Sequence, residues 1–80
     1  MQRFFFDVDD GSFHEDTEGT SLRDEEAALA EGVKALAEMG RDLLPSSSPP
    51  RNLTMWVRDE QGQRLLELAV TLTVTPQAPA

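Results

Sequence analysis

The sequence predicts a single small α+β domain in ββαββ order, an antiparallel sheet with one long helix packed on one face. Three observations carry this. Residues 3–9 are rich in strand formers and show the two-residue period of a strand, an apolar face of Phe4, Phe6 and Val8 against a mixed one of Phe5, Asp7 and Asp9. A stripe of apolar residues recurs at helical spacing between Leu22 and Leu43. The strand period then returns at Leu53 and persists, across one turn, to Val74.

In the first strand Phe4, Phe6 and Val8 alternate with Phe5, Asp7 and Asp9. Asp9, Asp10, Gly11 and Ser12 supply turn chemistry, since short polar side chains bond nearby backbone and glycine tolerates positive φ. A short return strand over Phe13 to Asp16 is expected to complete a hairpin, with Thr17 to Thr20 as the following loop. Ser21 with Asp24 three residues on resembles a capping box. Asp24, Glu25 and Glu26 also place negative charge at the positive end of a helix dipole, so a helix is expected from near Leu22.

Leu22, Leu29, Val33, Leu36, Gly40 and Leu43 form its apolar stripe, opposite Glu25, Glu31, Lys34, Glu38 and Arg41. Gly32 and Gly40 each cost up to about 1 kcal/mol relative to alanine in a helix, which calls for close packing on a sheet beneath. Pro45, Ser46 to Ser48, Pro49 and Pro50 end the helix and form a linker. Leu53, Met55 and Val57 alternate with Thr54, Trp56 and Arg58. Beyond the turn Asp59 to Gly62, Leu66, Leu68, Val70, Leu72 and Val74 alternate with Glu67, Ala69, Thr71 and Thr73, a strong hairpin signal. The domain is expected over residues 1–75, with 76–80 as a disordered tail.

One helix covers one face of a sheet. The expected core is Phe4, Phe6, Val8, Leu29, Val33, Leu36, Leu43, Leu53, Met55, Val57, Leu66, Leu68, Val70 and Leu72. Phe5, Trp56, Leu65 and Ala69 have the opposite parity and are expected on the uncovered face, with the linker 45–52 or the tail as available cover.

Eighty residues without cysteine exclude a multidomain enzyme and a disulfide scaffold, and no apolar run is long enough for a membrane-spanning helix. A chain this short buries only about 60 to 65 % of its unfolded surface, so a deep substrate cavity would compete with its core. Fifteen acidic against seven basic residues give a net charge of −8, which repels phosphate backbones and anionic lipid. Nucleic acid and membrane are therefore not expected as partners. The opening Met1 to Asp10 lacks the pattern of a signal peptide, and cytoplasmic residence is expected.

Several residues invite chemistry. Asp7, Asp9, Glu15 and Glu18 fall at positions one, three, nine and twelve of an EF-hand-like calcium loop, but Gly11 and Ser12 occupy positions five and six and a strand precedes the loop, so no metal site is expected. His14 is the sole histidine and reads as a surface residue. Ser21, Ser46, Ser47 and Ser48 have no histidine or lysine at a nucleophile spacing, and the five glycines form no phosphate-binding motif. No catalytic residue and no cofactor are implied.

Arg3-Phe4-Phe5-Phe6-Asp7-Val8, then Asp10-Gly11, Asp16-x-Glu18-Gly19-Thr20-x-Leu22-x-Asp24, Glu26-Ala27-Ala28 and Val57-Arg58-Asp59-Glu60-x-Gly62 occur in one order. In this the chain resembles the short bacterial proteins of domain-of-unknown-function family 6894, over nearly its whole length. The resemblance implies no activity and no functional residue. Members often carry histidine two residues before the turn glycine, where this chain has Asp9.

The functional expectation is a small non-enzymatic protein–protein interaction or homodimerising module, with Phe5, Trp56, Leu65 and Ala69 as its candidate interface. The alternative is an acidic regulator, antitoxin-like or phosphate-mimicking, that fills a basic site on a partner through Asp7, Asp9, Asp10, Glu15, Asp16 and Glu18. Either way the partner is another protein or a second copy of the chain.

Overall fold

A computed structural model describes residues 1–46, 48–49 and 51–79. The aromatic first segment forms β1 (Gln2–Asp9) and pairs antiparallel with β4 (Arg51–Arg58), from Phe5 opposite Arg58 to Asp9 opposite Thr54. β4 pairs in turn with β5 (Arg64–Leu72). On the other side of β1 lie two short strands: β2 (Phe13–His14) against Val8 and Asp9, and β3 (Thr20–Leu22) against Gln2, Arg3 and Phe4. The result is a five-stranded antiparallel sheet with one helix, α1 (Glu25–Leu43), so the α+β class stands with one strand more than the expected order.

The additional strand corrects the helix start. Ser21 and Leu22 belong to β3, and the N-cap is Asp24, whose Oδ1 accepts the Ala27 N–H at 2.8 Å. That bond satisfies an orphan amide of the first turn and holds the Asp24 carboxyl below its ordinary value. Extended backbone at 20–22 serves β1, which would otherwise present unpaired backbone groups at its amino-terminal half.

The buried side of α1 also differs from the expected stripe. Ala28, Gly32, Leu36 and Gly40 face the sheet at four-residue intervals, while Leu29 and Val33, expected in the core, are 43 % and 53 % exposed. The physical reason is proximity: a Cβ on Gly32 would lie 3.4 Å from Met55 Sδ and 3.5 Å from Leu68 Cδ2. Small residues bring the helix axis close to the sheet, and larger neighbours one position on are rotated about 100° away from it.

Phe4, Val8, Leu36, Leu53, Met55 and Val57 are buried as expected, joined by Ala28, with Phe6, Leu43, Leu66, Leu68 and Val70 packed around them. Each fully buried large side chain contributes roughly 1.5–3 kcal/mol relative to exposure, so Phe4, Leu53, Met55 and Val57 dominate the stability of this small core. Leu65 is placed differently from expectation. The register slips between Val57 and Arg58, Val57 facing Leu66 and Arg58 facing Arg64, and the extra residue Leu65 packs with Leu66 against the Phe4, Ala28 and Val57 cluster.

The helix ends in a short 3-10 turn, Leu44–Ser46. The expected linker positions Ser47 and Pro50, and Ala80 of the expected tail, lie outside the described residues. Residues 73–79 form no regular element and are exposed. Among the described residues, no helix is long and apolar enough to cross a membrane.

Candidate functional site

The sheet face away from α1 is crossed by the segment between β2 and β3, held there by charge. Asp7 projects from β1 onto this face, in register with Trp56, and is only 2 % exposed. Arg58, on the neighbouring strand, donates from Nε to Asp7 Oδ2 at 2.7 Å and from Nη2 to Asp7 Oδ1 at 3.3 Å, a forked pair. The same Nη2 donates to the Asp16 carbonyl at 2.8 Å and lies 3.5 Å from Glu15 Oε2, while the guanidinium sits 4.6 Å from the centre of the Phe5 ring. The hydrogen bond to Asp7, opposed by burial and aided by the charges of Asp7, Glu15 and Asp16, pushes the Arg58 guanidinium above its ordinary value.

Asp16 closes the clasp. Its backbone N–H donates to Asp7 Oδ1 at 2.9 Å; its own Oδ2 accepts the Phe6 N–H at 3.0 Å, and its Oδ1 accepts the N–H groups of Glu18 and Gly19 at 3.0 and 2.9 Å. Burial raises the Asp16 carboxyl, but the Gly19, Phe6 and Glu18 donors and the Arg58 charge outweigh it and leave it below its ordinary value. Gly19 has φ +74°, and a Cβ there would stand 2.8 Å from Arg3 Cγ and 2.9 Å from Phe5 Cε1, so only glycine fits this crossing of β1.

The residues expected at the interface therefore separate. Phe5 lies beneath the guanidinium of Arg58 and against Gly19. Trp56 donates from Nε1 to Glu67 Oε1 at 2.7 Å, carries the Arg64 guanidinium 4.4 Å above its ring, and meets the Phe13 ring at 6.1 Å between centroids. Ala69 is exposed opposite Thr54, and Leu65 packs with the helix-side core. Among the described residues the cover observed is formed by Phe13 and the residues through Gly19.

The six acidic candidates separate too. Asp7 and Asp16 are turned into the clasp. Asp9 accepts the Gly11 N–H at 2.9 Å, and Asp10 accepts the Ser12 N–H at 3.2 Å and pairs with His14 at 3.3 Å, so both are engaged in the turn. The Ser12 amide, against a smaller burial effect and with His14 beside it, keeps the Asp10 carboxyl below its ordinary value. Glu15 and Glu18 remain exposed. Among the described residues no three histidine or acidic side chains converge as a cation site.

Two features escaped the sequence reading. Arg58 shares strand parity with Trp56, and opposite charges of matching parity at Asp7 and Arg58 were the available signal for the clasp. The second is the strand order: a contact through an edge strand is compatible with the sequence, but which strand forms the edge is not legible in it. β5 is the terminal strand of the sheet, and beside it the carboxyl-terminal half of α1 leaves an apolar groove of about 630 Å³ whose walls include Leu36, Ala37, Gly40, Leu44, Val70 and Leu72. Among the described residues Arg41 is the single charged one along it.

A family model described as a domain of unknown function, DUF6894, matches residues 3–71. That span takes in the clasp and nearly all of β5. No curated protein and no solved structure matches the chain.

Proposed function

Since the chain belongs to the DUF6894 family, whose function is open, we propose from its geometry that it is a small non-enzymatic protein–protein interaction module. The observation that carries the reading is the β5 edge, a long strand with unpaired backbone groups next to an apolar groove. Such an edge pairs with an incoming strand through main-chain hydrogen bonds, while a groove beside it selects alternate side chains. Phe5 and Trp56 support a contact through the sheet face less well, because both are engaged within the chain. Ala69 is the member of the expected set that is exposed on this edge strand, which supports its use in such a contact.

The acidic alternative rests on Glu15 and Glu18, with Asp9 and Asp10 nearby in the turn, and a complex of that kind would weaken steeply with ionic strength. A strand-addition complex would not. The test is in-cell photo-crosslinking from a photoreactive residue at Ala69, with Lys34 on the outer helix face and Glu18 on the loop as comparisons. A protein adduct, to another chain or a second copy, formed selectively from Ala69 is expected. Adducts only from Glu18 would favour the acidic alternative, and none from any position would remove the interaction reading.

A further inference from the structure

Resting on that reading, we infer that the β5 edge takes a second copy of this chain, the two strands pairing antiparallel about a two-fold axis at Val70. β4 ends at Arg51, opposite Leu72, yet the apolar alternation of β5 continues through Thr73 to Val74. Val74 is 65 % exposed, a β-branched apolar side chain in strand phase with no strand beside it among the described residues. An axis at Val70 supplies that strand: Val74 of one copy faces Leu66 of the other, Leu72 faces Leu68, and Val70 faces itself, all on the helix side of the sheet. On the other side Thr73 faces Glu67 and Thr71 faces Ala69.

Charge permits this pairing. Over residues 66–74 Glu67 is the only charged side chain, and in this register it meets a threonine, so no like charges oppose each other even though each chain carries −8. Shifting the axis to Leu68 would place Val74 opposite Gly62 and Leu72 opposite Arg64, leaving Val70 opposite Leu66 as the one apolar pair besides Leu68 on itself. Pro76, which has no N–H to donate, falls just beyond the paired segment, where a strand can end without loss. Val70 and Leu72 line the apolar groove, so an axis at Val70 brings the grooves of the two copies together, and Ala37 and Gly40 keep the facing helix surfaces low.

Sedimentation equilibrium of the full chain over a concentration series tests this. The expected mass rises from one chain to two. Val74→Asp, at a position outside the monomer's sheet, should weaken the dimer about tenfold or more while leaving the circular dichroism spectrum unchanged. Thr73→Lys should tighten it about threefold by facing Glu67 of the second copy, and Thr73→Glu should loosen it about as much. Glu67→Gln should abolish the difference between the two. A dimer indifferent to all of these, or a monomer at every concentration into the millimolar range, overturns the inference. A monomer in solution whose Ala69 crosslinks a different protein in cells overturns the second copy and leaves the interaction module standing; no crosslink as well would remove both.

Discussion

The sides of β1 and β5 that face away from β4 are handled in opposite ways by one chain. Along β1, β3 pairs with residues 2–4 and β2 with residues 8–9, and between them the Asp16 carboxylate accepts the Phe6 N–H where no strand reaches. Along β5 nothing comparable is present among the described residues, and an apolar groove runs beside the unpaired strand. The closed edge requires Asp7 and Arg58 to leave water, a desolvation that is offset only by their forked bond and the bonds to Asp16. An exposed edge is therefore not a default of small sheets: one loop, tied down by Asp16 to Asp7 of β1 and Arg58 of β4, is enough to close one, and among the described residues no such loop lies along β5.

Breaking the closed edge should have the largest effect. Arg58→Ala leaves the Asp7 carboxylate nearly inaccessible to water without its cation and should destabilise the fold by about 3–5 kcal/mol, measured by urea unfolding. A loss below about 1 kcal/mol would show that the clasp does not hold the loop. Gly19→Ala should cost about 1–3 kcal/mol, because φ is +74° and the added methyl meets Arg3 and Phe5 below 3 Å. Its diagnostic readout is faster hydrogen exchange at the Phe6 amide, and unchanged exchange would separate Gly19 from the edge.

Acid should loosen the closed edge more gently. The Asp16 carboxyl lies below its ordinary value in the folded chain, so the unfolded chain binds the proton first as pH falls. The stabilisation is present above the unfolded value, near about 4, and disappears as pH drops through the lower folded value. Wild-type urea midpoints should therefore fall more steeply below about pH 4 than those of Asp16→Asn, and equal slopes would contradict the assignment. At the open edge the effect reverses sign. A Cβ on Gly40 would meet its neighbours at 3.5–4.0 Å, ordinary contact, so Gly40→Ala should gain about 0.5–1 kcal/mol of monomer stability by helix propensity, read as a higher melting temperature.

What could be read from the sequence follows from what each signal measures. Period-two alternation in Phe4 to Val8 and Leu53 to Leu72 reports local geometry, and those strands and their buried parity appear as expected. Leu29 and Val33 mislead because bulk is no sure sign of burial: small residues, Ala28, Gly32 and Gly40, face the sheet where α1 approaches it. β3 was hidden because Thr20 to Leu22 is a short segment whose partner lies well back in the chain, and because Ser21 imitates a cap. Leu65 was misplaced by a one-residue bulge, which reverses parity without any mark in the local pattern. The clasp needed Asp7, Asp16 and Arg58 to be seen together across the sheet, and only register brings them there.

Residue-resolved hydrogen exchange at low and high protein concentration measures both edges in one sample. The expected result is a Phe6 amide protected at every concentration, and β5 amides pointing away from β4 that exchange freely when dilute and become protected as concentration rises. A rapidly exchanging Phe6 amide, or β5 amides whose exchange is indifferent to concentration, would contradict a sheet closed along β1 and open along β5 for a second copy.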